Sequence, residues 1–401
     1  MTPLKLHEAA IRDWEHKVHA LVDWQGSPAG PKIETSPSGP LRDWIIGVKD
    51  IIDVEGIPTC CNAPFVPALP ARKNAEIVQK FISLGATVFC KTVTTTFAYF
   101  DPGPTRNPWN LNHTPGGSSS GSAVAVACGM VRLALGSQTV ASVNRPASFC
   151  GVVGFKPTYD RLPIKGVFPF SPSVDTLGYF TRTVLDAQQA FTSLVGPPET
   201  SGTTPIRVGV TEDLYVEPAE EEMLLSLRNV CRQLEISGLE VIPCQLPSFC
   251  DEAQEHHWSL VAAEAAISHE KLFAKYGKSY PPKLRDLILR GQQITSSQMQ
   301  VIDSHRKNLQ TRLKVFLEKF DLLITPSAPG AAPVSIDTTG DPRFSLLWTY
   351  AGFPTLTLPA DLSRNGLPLG IQLVSNPYKD HELLSAGLTI ERIISFPSMP
   401  I

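Results

Sequence analysis

Short apolar runs alternate with longer amphipathic segments over most of this chain, and that alternation restricts the fold to a sheet layered with helices. Strand-like runs fall at 44–48, 86–90, 131–135, 206–210, 239–242, 321–325, 355–359 and 370–374, and Ile51, Ile52 and Val54 extend the first. Helical patterns fall at 5–24, 73–84, 123–128, about 217–234, 252–320 with a proline break at 281–282, and 381–394. Residues 26–40 and 196–205 are rich in Pro, Gly, Ser and Thr and read as loop and linker. The second marks either a domain boundary or a crossing between strands of one sheet.

Composition narrows the functional classes. The 401 residues include 35 Lys plus Arg and 38 Asp plus Glu, a net charge of −3, and 42% are hydrophobic. That supports a large core and argues against disorder, and it lacks the basic excess of a nucleic-acid binder. The first 24 residues mix charges with apolar residues, which predicts a surface helix rather than a secretory leader. The most apolar stretch, 123–135, contains Arg132 and is too short to span a bilayer, so no membrane association is predicted. None of the eight cysteines lies in a C-x-x-C pair, which predicts reduced, mostly buried thiols and a cytoplasmic protein. His256 and His257 are adjacent, but no metal-ligand spacing is visible, so neither metal nor cofactor is predicted.

Three segments carry chemistry. The first, GGSSSGSA at 116–123, is a Gly/Ser turn leading straight into small apolar residues, unlike a solvated linker. Such a turn at a helix start aims N–H groups and hydroxyls at a reacting group or an anion. No Lys follows it in P-loop spacing. The second, GSQTVASVNRPA at 136–147, turns sharply after a strand and sets Ser142 beside several N–H groups, which fits either a nucleophile near an oxyanion hole or an ordinary polar turn. The third, Gly47-Val48-Lys49-Asp50, ends an apolar strand. Lys49 there is either half of an ion pair with Asp50 or Asp53, or a base. A free lysine, with a pKa of about 10.4, is neutral to only ~0.04% at pH 7, so a base at this position must be desolvated.

Together these segments resemble the amidase signature family. The resemblance rests on GVKDIIDVEGIPT (47–59), GGSSSGSA, GSQTVASVNRPA, GVVGFKPT (151–158) and Asp175-Thr176-Leu177-Gly178, with later motifs at 321–333, 351–359 and 366–374. It spans most of 41–394 and is nearest in pattern to small, single-domain, malonamidase-like members. It implies one domain over 1–401, with a signature core at about 41–190. The regions at about 206–320 and 321–394 then complete the same α/β fold, a central mixed sheet with helices on both faces.

The resemblance also implies a Ser–cis-Ser–Lys triad: Ser142 as nucleophile, Ser118 as the bridging cis-Ser and Lys49 as base. The intervals are 142 − 118 = 24 and 118 − 49 = 69 residues. The implied reaction is hydrolysis of a linear amide through an acyl-enzyme, with the N–H groups of Thr139, Val140, Ala141 and Ser142 holding the oxyanion. Two positions depart from the pattern. Val140-Ala141 stands where Gly-Gly is common, and Asn144 stands where Arg is usual, with Arg145 one place later. Arg145 is therefore either structural or a clamp for a substrate carboxylate. Gly117 and Ser119 are further substrate-contact candidates, and Tyr99, with Phe97 and Phe100, either lines the pocket or packs in the core. The alternatives are a glutaminase-type subunit of a tRNA-dependent amidotransferase, a urea-derivative or carbamate hydrolase, and a non-catalytic anion binder using the Gly/Ser loop. The oligomeric state implied is a homodimer.

Overall fold

The computed structural model describes residues 3–24, 38–198, 206–211 and 218–397. Most of the loop predicted at 26–40, and residues 199–205 of the predicted linker, lie outside them. The first half of the chain runs α1 (Pro3–Val18), β1 (Leu21–Trp24), β2 (Ile45–Lys49), α2 (Glu76–Ser83), β3 (Thr87–Thr92), α3 (Ser120–Ala127), β4 (Leu133–Gln138), α4 (Asn144–Cys150), β5 (Val153–Lys156), β6 (Thr176–Thr181) and α5 (Val184–Val195). The second half continues with β7 (Arg207–Thr211), α6 (Glu221–Ile236), β8 (Glu240–Cys244), α7 (Ala253–Ser268), α8 (Glu270–Tyr276), α9 (Pro282–Gly291) and α10 (Ser296–Leu317). It ends with β9 (Leu322–Pro326), α11 (Arg343–Ala351), β10 (Thr355–Leu362), β11 (Pro368–Val374) and α12 (Asp380–Ile394).

All the strands among the described residues join one mixed sheet of eleven, in the order β1-β3-β2-β4-β6-β5-β10-β11-β9-β7-β8. Strands from both sides of the 196–205 segment therefore share it. β2 runs parallel to β3 and β4, and β9, β7 and β8 form a second parallel group. The strands between the two groups pair antiparallel. Because side chains alternate across a strand, Ile45, Ala134 and Phe180 face one buried cluster with α1, α3 and α4. Ile46, Leu133, Leu135 and Tyr179 face the other, shared with α2, α5 and the C-terminal elements. Helices cover both faces, as predicted.

β5, β6, α4, α5 and α11 have no counterpart in the sequence reading, and three segments that it does contain take another form. The helix predicted over 5–24 stops at Val18: His19 adopts φ +49°, and the Glu15 carboxylate accepts the N–H groups of Ala20 and Leu21. The chain then reverses, and Leu21–Trp24 adds an antiparallel edge strand to β3. Ile51, Ile52 and Val54 form a turn rather than extending β2, with the N–H groups of Ile51 and Ile52 returning to the Lys49 carbonyl. The turn read in the 136–147 segment is shorter than that segment, because β4 persists to Gln138 and α4 begins at Asn144.

Candidate active site

Parallel pairing sets Val48 of β2 opposite Leu135 of β4, so both strands end at the same edge of the sheet. Lys49 is the last residue of β2, and Ser137 lies one residue before the end of β4. The Gly/Ser loop reaches this edge from α3. Gly116, at φ +78°, adopts a conformation that side chains disfavour, and the Gly117–Ser118 peptide is cis. The helix after the loop approaches β3 closely: a Cβ on Gly121 would sit 2.2 Å from the Ala20 carbonyl oxygen and 2.4 Å from Val93 N. The small residues of α3 are thus what bring the loop against the strands.

Lys49 is fully buried, and its Nζ donates to Ser118 Oγ at 2.8 Å and to Ser137 Oγ at 2.9 Å. Neither carboxylate considered from sequence pairs with it. Asp50 forms a buried ion pair with Lys91 at 3.2 Å, and Asp53 accepts from the Thr59 hydroxyl. Burial pushes the Lys49 amine down to about 7, against weaker opposing pulls from Asp175 and Cys61. Both of its partners are neutral hydroxyls, so nothing nearby compensates a charge on it as a contacting carboxylate would.

Ser142 lies in the turn between β4 and α4 and is 7% exposed. Among the described residues, no hydrogen bond engages its hydroxyl, and none of the N–H groups of Thr139, Val140, Ala141 and Ser142 donates to a protein acceptor. The carbonyls and side chains of the same turn, by contrast, are tightly held. Gln138 Oε1 accepts from Val143 N and Asn144 N at 2.7 and 3.0 Å. Thr139 Oγ1 donates to Asp175 Oδ1 at 2.6 Å, and Asp175 Oδ2 accepts from the N–H groups of Phe170 and Ser171. The Val140 carbonyl accepts from Thr349 Oγ1 at 2.7 Å, and the Thr139 carbonyl lies 2.9 Å from His257 Nε2. A turn clamped this way leaves four N–H donors without a protein acceptor among the described residues. That is the polarity an oxyanion site requires.

The remaining candidates separate into two groups. Arg145 is buried and committed: its Nη1 donates to the Gly340 carbonyl at 2.6 Å, and its Nη2 to the Gly117 carbonyl at 2.8 Å and to Thr339 Oγ1 at 3.0 Å. Of the two readings of Arg145, this geometry fits the structural one. Gly117 offers its carbonyl to that guanidinium. Ser119 is fully buried and braces β4, accepting from Ser137 N and donating to the Ser137 carbonyl. Both positions make these contacts within the protein. Phe97 is core, stacked on Tyr280 at 5.5 Å, whereas Tyr99 and Phe100 are half-buried in edge-to-face contact. Asn144, at the position of the usual Arg, is absorbed by Gln138, Thr355 and Thr357.

Sequence reasoning assigns no role to Ser137, Asp175, His257 or Thr349. Ser137 and Asp175 lie inside quoted motifs, and a polar residue closing an apolar strand is an available signal. His257 and Thr349 lie on helices remote in sequence and carry no such mark.

Comparisons with known proteins give the family and the fold. The family model described as Amidase matches residues 23–384. The A-type component of glutamyl-tRNA(Gln) amidotransferase from Synechococcus sp. (strain RCC307) is 29% identical over 435 aligned positions, covering 93% of this chain and 90% of that protein. A crystal structure of an amidase superposes with a TM-score of 0.87 at 30% identity, over 98% of this chain and 96% of that one. The corresponding amidotransferase component of Thermotoga maritima superposes with a TM-score of 0.79 at 26% identity, over 96% and 89% of the two chains. With a family match over most of its length and a sheet edge built from the motifs that carry the resemblance, this chain belongs to the amidase family.

Proposed function

We propose that this protein hydrolyses the C–N bond of a linear carboxamide through an acyl-enzyme on Ser142, with Ser118 as relay and Lys49 as base. The observation that carries the reading is the 2.8 Å contact between Lys49 Nζ and Ser118 Oγ, in a buried setting that favours the neutral amine. In this scheme Lys49 takes the Ser118 proton as Ser118 takes that of Ser142. The Ser142 oxygen attacks the carbonyl carbon, and the N–H groups of Thr139, Val140, Ala141 and Ser142 hold the oxyanion. The proton returns through Ser118 to the leaving nitrogen, and ammonia or an amine departs. Water entering by the same relay then releases the acid. Ser137 gives Lys49 a second hydroxyl partner and fixes its direction.

A cleft beside Ser137 and Thr139 is walled by Ile51, Val167, Phe168 and Phe170, and its one charged lining residue, Asp175, is already engaged with Thr139. The second reading, a glutaminase-type subunit, is supported by the names of the amidotransferase relatives. The test is ammonia release from small amides, ureas and carbamates by wild type and Ser142→Ala in parallel, with fluorophosphonate labelling. Turnover by the isolated chain, with labelling lost in the variant, is the expected result. Activity only with added partner subunits would favour the second reading, and equal labelling of both proteins would overturn the nucleophile. A homodimer follows from the family resemblance and is checked by light scattering. The free thiols of Cys60, Cys61, Cys90, Cys128 and Cys150 support a cytoplasmic location. No helix among the described residues is long and apolar enough to cross a membrane.

A further inference from the structure

The first turn of α7 and the middle of α10 bring together Glu252, His256 and His305, whose ligand atoms all lie within 4.8 Å of one another. Glu252 and His256 are four residues apart on one helix face, with a carboxylate oxygen 3.8 Å from His256 Nε2. The His256 and His305 rings face each other at 4.1 Å and 30°. We propose that these three side chains form a binding site for one divalent transition-metal ion of the zinc class.

The hydrogen bonds behind His305 support this. Tyr350 Oη donates to the Ile302 carbonyl at 3.2 Å, so its hydroxyl proton is spent. With that proton on the Ile302 carbonyl, the 3.2 Å contact from His305 Nδ1 to the same oxygen is a donation by the imidazole. In that tautomer the proton sits on Nδ1 and the Nε2 lone pair is left for a metal, the arrangement that outer partners impose on metal-bound histidines. Two imidazoles and one carboxylate suit Zn²⁺, Co²⁺ or Ni²⁺ rather than Mg²⁺ or Ca²⁺. A tetrahedral ion with bonds of about 2.0–2.2 Å needs its ligands about 3.4 Å apart. Closing to that spacing calls on the rotamers of Glu252, which is exposed. Arg306, the nearest cation on α10, donates to the Tyr350 and Ser173 carbonyls at 2.6 Å, so its guanidinium is already engaged. The fourth position is left to water.

The ion would tie α7 to α10 across α11. Next to His256, His257 meets the Thr139 carbonyl, and next to Tyr350, Thr349 holds the Val140 carbonyl. The site is thus a brace behind the turn that carries Ser142, and its existence does not depend on the reaction proposed for that turn.

The probe is Co²⁺, titrated into metal-free full-length protein and followed by its visible d–d bands, with Zn²⁺ as competitor. The expected result is one Co²⁺ per chain, without thiolate charge transfer, displaced by Zn²⁺. His305→Gln and Glu252→Gln each weaken binding at least tenfold, and Tyr350→Phe weakens it about tenfold through the lost outer contact. Zn²⁺, but not Mg²⁺, raises the wild-type melting temperature. Should His305→Gln fail to fold by circular dichroism, Glu252→Gln, at an exposed position, carries the test. No saturable binding, a thiolate spectrum, or affinity unchanged in the folded variants would overturn the site.

Discussion

The pH dependence of turnover tests the proposed base directly. Burial holds the Lys49 amine at about 7, and only the neutral form accepts a proton. The sign follows from the cationic acid form: the active fraction rises with pH and levels off above the pKa. A single ionisation at about 7 gives an active fraction of about 3% at pH 5.5, half at pH 7 and about 97% at pH 8.5, so kcat/KM rises roughly thirty-fold across that interval. An aqueous lysine would instead give a tenfold rise per unit up to about pH 10. The assay is ammonia release at substrate concentrations well below KM, buffered from pH 5 to 10, with wild type and Lys49→Ala. In the variant, activity falls on the order of 10²–10⁴-fold and the rising limb disappears. A flat wild-type profile, a limb centred near 10, or a limb that persists in Lys49→Ala would refute the assignment of Lys49 as base.

Ser142→Ala should abolish turnover, by about 10⁴-fold or more, while shifting stability by no more than ~0.5 kcal/mol in chemical denaturation, because its hydroxyl has no protein partner to lose. Arg145→Ala should cost about 2–3 kcal/mol of stability by stranding the acceptors at Gly117, Thr339 and Gly340. It should also slow hydrolysis of neutral and carboxylated amides equally, and a selective loss on carboxylated amides would restore the clamp reading. Thr349→Val removes the donor to the Val140 carbonyl and should lower kcat about tenfold with KM little changed. Gly121→Ala forces a methyl group against the Ala20 carbonyl and should cost about 2 kcal/mol or more in a thermal melt.

Local sequence announces most of this architecture because the helices and strands of an α/β sheet are written as apolar periodicities. β2, β4 and β9 are visible as apolar runs, and α12 as a helical pattern. β1 is not, because its four residues continue a helical pattern and only the side chain of Glu15 and pairing with β3 end it. The triad candidates are legible for another reason. They emerge from the resemblance of whole motifs: read alone, Lys49 is equally half of an ion pair and Ser142 equally part of an ordinary polar turn. The partners that hold the turn do not. His257 and Thr349 reach it across 118 and 209 residues of chain, and an ordinary helical histidine or threonine carries no trace of such a contact. Ser119 stands out for the same reason as Ser118, yet its neighbours consume its hydroxyl. Only coordinates show that one of two adjacent serines meets Lys49 and the other meets Ser137.

The turn beside Ser142 is gripped from behind by His257 and Thr349 and, through Asn144, by Thr355 and Thr357. A fragment ending near residue 198 would carry each hydroxyl and amine of the proposed triad and keep Gln138 and Asp175, yet lose every one of these contacts from behind the turn. The cleft beside Ser137 is lined wholly by residues before 198, so the half of the chain that shapes it is not the half that braces the turn from behind. Changes in the later helices can therefore reach the proposed donors without touching a cleft wall.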